Sequence, residues 1–305
     1  MLRTTIRAWI AIRLHDDNPN NHNAKRVDMR NRLARLFLRP LMPLLLACAA
    51  TAPHAAEIPL DAKPLFDAAG VDGTMVVYDV RQQRMHTYNP KRAATPYSPA
   101  STFKIFNSLI GLETGAVADV DNDRLPWDGK VWMHHGKPIL PEVCNGEVAL
   151  RLALKNSCVP AYQALARRVG TDQYRKYLRA AHFGNAGVDG PVDRFWLNGQ
   201  LQITTYQQVD FLNAAAAHKV PLISEHSFAA LDDILTIEST PAYTLRAKTG
   251  WATSGKVDVG WWVGWVTRGD DTYVFAMNLD MPRPEVGAKR QEIARAVLRQ
   301  VGALP

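Results

Sequence analysis

A chain of 305 residues suffices for one large domain or two modest ones, and a composition 47% hydrophobic and 21% charged is that of an ordinary globular protein. The formal net charge of +7 sits almost wholly in the leader. Residues 1–56 carry nine Lys/Arg against three Asp/Glu, and the rest of the chain is within one charge of neutral. A nearly neutral body behind a basic leader gives no electrostatic case for nucleic-acid binding.

In chain order, residues 1–56 read as an export signal. Met29-Arg30-Asn31-Arg32, with Arg35 and Arg39, makes a positive region; Leu41 to Ala50 makes a short apolar core; small residues from Ala47 to Ala56 offer cleavage sites. Met29 is the expected initiator, the competing reading being a genuine, long positive region. The apolar run is short and interrupted by Pro40 and Pro43, which argues against a membrane-spanning helix. Leu45-Leu46-Ala47-Cys48 is loosely similar to a lipoprotein cleavage box, so a lipid anchor at Cys48 is a second reading. The expected location after cleavage is the periplasm.

Gly73–Val80 and Gln83–Tyr88 flank a short polar break and predict a hairpin. Ser101–Leu112 predicts an apolar helix entered through Ser98 and Pro99. Glu147–Lys155, Ala161–Val169, Asp172–Ala181 and Thr205–His218 predict further helices. Tyr243–Lys248, Gly260–Thr267 and Thr272–Leu279 predict strands, and Ala288–Val301 a last helix. Strands at both ends with helices between imply an α/β (α+β) fold. An antiparallel sheet is built from both chain ends, about 57–100 and 240–305, with an all-helical lobe from about 101 to 239 and a site in the cleft between them. Cys144 and Cys158 remain after the leader. An oxidising compartment permits a bridge and their spacing does not forbid one, but two separate buried thiols are the plainer expectation.

Three short motifs carry chemistry. In Ser101-Thr102-Phe103-Lys104 the serine and lysine are three apart, so on a helix they share a face, as a nucleophile and its base require. An ordinary lysine is protonated at neutral pH; apolar neighbours such as Phe103, Val159, Trp196 and Leu197 would disfavour the ammonium, and a neutral lysine can take up carbon dioxide as a carbamate. Ser157-Cys158-Val159 supplies a second serine, placed to pass a proton to a leaving nitrogen. Lys248-Thr249-Gly250 ends a strand with a fixed positive charge, a hydroxyl for a carboxylate and a residue without a β-carbon.

These three elements, in this order, are those of the active-site serine penicillin-recognising enzymes. The chain resembles the class D (oxacillinase-type) β-lactamases in PASTFKIFNSLIGLETG, SCVPAYQALARRVG, Phe183-Gly184-Asn185, DRFWLNGQLQIT, KTG with WWVGW, and NLDMP, from about residue 60 to 305. Class A is set apart by the asparagine it carries where Val159 stands. The resemblance implies hydrolysis of penicillin-type β-lactams through an acyl-serine intermediate, with Ser101 as nucleophile and Lys104 as its carbamylated base. It implies that Trp196 steadies the carbamate in a pocket kept dry by Phe103, Val159 and Leu197. Ser157 would relay a proton tuned by Lys248, Thr249 and Arg290 would hold the substrate carboxylate, and the N–H groups of Ser101 and Trp251 would form the oxyanion hole. No metal or organic cofactor, nucleic acid or protein partner is implied, and monomer and homodimer stay open. Two readings compete: a penicillin-sensing receptor domain that acylates without turnover, which would need a membrane-spanning signalling region, and a D-alanyl-D-alanine peptidase, against which Val159 argues. The chain departs from the family in having Phe183 where many members have tyrosine, in lacking a tryptophan often found within Leu140–Asn145, and in Cys158.

Overall fold

Hydrophobic segments from both ends of the chain pair into one sheet, as the pattern predicts. The computed structural model describes residues 56–134 and 136–305, so the export signal, Met29 and Cys48 lie outside the described residues. The N-terminal strands are β1 (Ala56–Pro59), β2 (Gly73–Asp79) and β3 (Arg84–Tyr88). Two short pairs follow: β4 (Arg124–Leu125) with β7 (Val148–Ala149), and β5 (Met133–His134) with β6 (Lys137–Pro138). The last strands are β8 (Thr236–Ser239), β9 (Thr244–Ala252), β10 (Val259–Arg268) and β11 (Asp271–Asp280). Among the described residues the main sheet runs β1-β3-β2-β11-β10-β9-β8. Its pairs are antiparallel, as expected, except β1 with β3, which adds a parallel edge.

Val259 to Val266 of β10 are buried without alternation, because both faces of the sheet are covered. One face carries Phe66 of α1 (Lys63–Ala69) and Ile293, Val297 and Leu298 of α9 (Lys289–Gln300); the other carries the helical lobe. Strand register then decides where the third motif points. Val263, packed on the helical lobe, lies opposite Lys248, and Trp262, packed toward α9, lies opposite Thr249. Residues opposite one another share a face, so Lys248 turns to the helical lobe and Thr249 to α9.

Between the sheet halves come α2 (Pro90–Ala93), α3 (Lys104–Glu113), α4 (Leu150–Lys155), α5 (Val159–Val169), α6 (Thr171–Ala180), α7 (Thr205–Ala216) and α8 (Glu225–Leu235). Lys104 to Leu112 of α3 are all buried, as an apolar helix at the centre of a lobe must be. A capping box between Thr204 and Gln207 starts α7, and Thr205 accepts from Asn278 on β11 at 2.9 Å, docking this helix on the sheet. The sequence reading passes over α1 and α8, although Phe228, Leu231, Ile234 and Leu235 carry a helical period.

Cys144 and Cys158 are bonded, with Cα atoms 5.0 Å apart, which overturns the expectation of two separate thiols. The bridge ties a 3-10 turn (Glu142–Cys144) to the start of α5, where spacing along the chain could not show that the backbone returns. A closed loop of this length restrains the unfolded chain by about 3 kcal/mol. Cys144→Ser with Cys158→Ser is therefore expected to lose about that much in denaturant melts, and wild type under strong reductant should match the double variant.

Candidate active site

The first motif is held by its neighbours before any chemistry is considered. Ala100 has φ of 47°, a left-handed conformation that is costly for a residue with a β-carbon. It is fixed there by hydrogen bonds that the Ala100 N–H and the Ser98 hydroxyl donate to the Trp196 carbonyl, at 3.1 and 2.8 Å. Trp261 of β10 donates its indole N–H to the Ser98 carbonyl at 3.0 Å. A Cβ on Gly250 would lie 3.0 Å from the Pro99 carbonyl oxygen, so this glycine lets β9 press against the turn. The turn Ala100–Phe103 is 3-10, and α3 proper begins at Lys104, which corrects the expectation that Ser101 lies in the α-helix. In 3-10 geometry residues i and i+3 eclipse. Lys104 Nζ is accordingly hydrogen-bonded to Ser101 Oγ at 2.8 Å.

Lys104 is wholly buried. Burial, and then the charge of Lys248, hold its pKa well below the ordinary lysine range and so favour the free amine. Its surroundings are aromatic. Nζ stands 5.2 Å from the centroid of Tyr162, and the Phe103 ring lies 5.7 Å from that of Trp196. The Trp196 indole N–H is buried and finds no hydrogen-bond partner among the described residues, a state that costs about 1–3 kcal/mol.

The second and third motifs meet at Ser157. This residue turns between α4 and α5 with φ of 57° and accepts a hydrogen bond from Lys248 Nζ at 3.0 Å; the same Nζ donates to the Thr249 carbonyl at 3.0 Å. Burial, and then the nearby Arg290 charge, lower Lys248 to about 7, so both protonation states are accessible near neutrality. Arg290, lowered to about 10 by burial, donates to the carbonyls of Gly250 and Gly287. Gly260 makes room for it: a Cβ there would lie 2.7 Å from Arg290 Cδ. Among the described residues neither Lys248 nor Arg290 has an ion-pair partner. Uncompensated cations in a cleft favour an anionic ligand.

A cavity of about 240 Å³ gathers Ser101, Ser157, Val159, Leu197, Thr249, Trp251 and Arg290 on its walls. Phe103, Lys104 and Trp196 are fully buried side chains, and Lys248 reaches the site through Ser157. A larger cavity of about 440 Å³ is lined by Lys155, Thr236, Lys248, Thr249 and Gln291 but not by Ser101 or Ser157, so both serines open onto the smaller one.

The profile of the penicillin binding protein transpeptidase domain matches residues 70–299. The β-lactamase OXA-5 of Pseudomonas aeruginosa is 37% identical over 242 residues, covering 78% of this chain and 87% of that protein. The crystal structure of the class D β-lactamase YbXI from Nostoc is similar with a TM-score of 0.75 and 36% identity, over 80% of this chain and 100% of that one. This chain belongs to the class D β-lactamases. The C-terminal domain of the Bacillus licheniformis BlaR penicillin receptor is also similar, with a TM-score of 0.75 at 27% identity over 83% of this chain and 100% of that one.

Phe183 is packed among Phe103, Phe106 and Phe211, with ring centroids 4.9–5.7 Å away, so the position serves the aromatic core. Asn185 is a loop staple: its side-chain carbonyl accepts from the Gly187 and Gln202 N–H groups, and its amide donates to the Gln200 carbonyl. Sequence reasoning missed Ser108, which is hydrogen-bonded to Tyr162 at 2.7 Å and donates to the Lys104 carbonyl at 2.7 Å. Its four-residue step from Lys104 was the available signal. It also missed Trp132, Met133, His134 and Ile139, which join Leu140 at the rim.

Proposed function

We propose that this serine β-lactamase opens the ring of penicillin-type antibiotics through an ester on Ser101. Thr249 and Arg290 take the substrate carboxylate. Ser101 Oγ attacks the lactam carbonyl carbon as Lys104 accepts the hydroxyl proton. The Ser101 and Trp251 N–H groups face the developing oxyanion. The ring C–N bond breaks, and its nitrogen takes a proton from the Ser157 hydroxyl, which Lys248 replenishes. The proton held by Lys104 passes to Lys248, which frees the amine; water, deprotonated at Lys104, then attacks the ester, that proton goes to the departing Ser101 oxygen, and the ring-opened acid leaves. The observation that carries this reading is a fully buried Lys104 amine 2.8 Å from the Ser101 hydroxyl.

The residues around Lys104 fit a carbamate, formed as the amine adds carbon dioxide and releases a proton. The unsatisfied Trp196 indole N–H offers a donor to such an anion, and Phe103, Val159 and Leu197 keep water from it. On Lys104 that group would supply an anionic oxygen base in place of a nitrogen one. No metal or organic cofactor enters the proposal.

We place the enzyme in the periplasm after loss of the leader, a reading supported by the charge pattern of residues 1–56 and by the Cys144–Cys158 bridge, since such bonds persist in oxidising compartments. The likeness to a penicillin receptor keeps one alternative testable, because receptor and hydrolase differ in turnover. A chromogenic cephalosporin should be hydrolysed over many cycles, with a transient adduct in quenched intact-mass spectra. A single stoichiometric burst with a lasting adduct would identify a receptor, and no adduct at all would remove the acyl-serine reading.

A further inference from the structure

A polar contact joins the two rims of the cleft. His134 ends β5 on one rim, and Asp258 closes the loop between β9 and β10 on the other. His134 Nε2 lies 3.2 Å from Asp258 Oδ2, with the side chains 19% and 20% exposed. The same carboxylate oxygen accepts the Trp251 indole N–H at 2.8 Å. The His134 ring meets that indole edge to face, centroids 5.3 Å apart. Asp258 is itself anchored, its carbonyl accepting the Met281 N–H at 2.8 Å. One oxygen therefore connects the rim hairpin to an indole on the cavity wall, next in sequence to Thr249-Gly250.

We infer that His134 is a positioning residue for substrate choice. Through Asp258 it holds the Trp251 indole and narrows the mouth, so that β-lactams with flat, small acyl side chains are favoured over those with bulky, branched ones. The inference rests on the β-lactam reading above. Packing and hydrogen bonding both act on one indole, so loosening the contact widens the mouth without touching Ser101, Lys104 or Ser157. Selection of this kind works by excluding the wrong shape rather than by attracting the right one.

The test is the ratio of second-order acylation rate constants, followed by intact mass, for a phenylacetyl penicillin and an oxyimino cephalosporin. Acylation is read rather than turnover, so the ratio is defined for a hydrolase and a receptor alike. His134→Ala and Asp258→Asn should each move the ratio toward the bulky substrate by about tenfold. The double variant should move it no further, because both act through one contact. His134→Phe keeps a ring against Trp251 and guards against a folding defect; it should shift the ratio in the same direction. An unmoved ratio in these variants, or a double variant equal to the product of the singles, would overturn the role of His134 alone. A wild type acylated by neither compound would remove the β-lactam reading, and the positioning role with it.

Discussion

Ser101→Ala is expected to abolish turnover, on the order of 10⁴-fold or more, as loss of the nucleophile does in serine enzymes. The size follows from the absence of a substitute. Ser157 Oγ is engaged by Lys248, and Ser108 is buried in its bonds with Tyr162 and the Lys104 carbonyl. Thr102 Oγ1 donates to the Pro99 carbonyl and accepts from Gln208, both at 2.8 Å. No second hydroxyl can therefore take over beside the Lys104 amine. Peptide mapping after exposure to a penicillin should place the wild-type label on Ser101 and find none in the variant. A label on Ser157 would show that the two serines have been assigned in the wrong order.

The second large effect concerns Lys104 and Trp196. Lys104→Ala should cost about 10²–10⁴-fold in hydrolysis, the range for a positioned base, and added bicarbonate should not restore it. Trp196→Phe keeps an aromatic ring against Phe103 and removes only the indole N–H. A hydrogen bond to a charged group contributes about 1.5–3 kcal/mol, so carbon dioxide uptake by Lys104 should weaken about 10–100-fold in this variant. Bicarbonate should then restore activity more fully in Trp196→Phe than in wild type. The sign of the pH dependence follows from the depressed Lys104 pKa: acid protonates the amine and drives carbon dioxide off, so activity should fall on the acid side and bicarbonate should help most there. Carbon-13 bicarbonate should give a carbamate resonance in wild type that is absent in Lys104→Ala. Full turnover in bicarbonate-depleted buffer without that resonance would leave Lys104 acting as a free amine.

The parts of this site that were legible in the sequence share a physical reason. Ser101 and Lys104 are local neighbours, so their spacing fixes their meeting, and Lys248-Thr249-Gly250 are consecutive, so a charge and a hydroxyl come to the same strand with no knowledge of the rest of the fold. The β2–β3 hairpin, α3 and the strands β9 to β11 were readable as apolar runs bounded by polar breaks and entry signals. What was not legible depends on contacts between distant segments. The parallel placement of β1 beside β3, the Cys144–Cys158 bridge and the approach of His134 to Asp258 leave no local pattern. The 3-10 form of the Ser101 turn was hidden for another reason. It is imposed by hydrogen bonds to Trp196 and close packing against Gly250, far along the chain.

The order of the sheet also bears on how the molecule comes into being. β2, near the beginning of the chain, finds its neighbour in β11, near the end, with Met75 opposite Met277. Until Asp271–Asp280 has been made, one edge of β2 stays open, and the platform carrying Lys248 lacks its link to the first hairpin. Ser101 and Lys104 are synthesised early, yet they cannot be fixed against β9 before the last strands arrive. Pairing across such a span is slow to nucleate. A ribosome-bound or prematurely stopped chain would thus hold every residue of its first two motifs and remain inert, with unpaired strand edges open to aggregation.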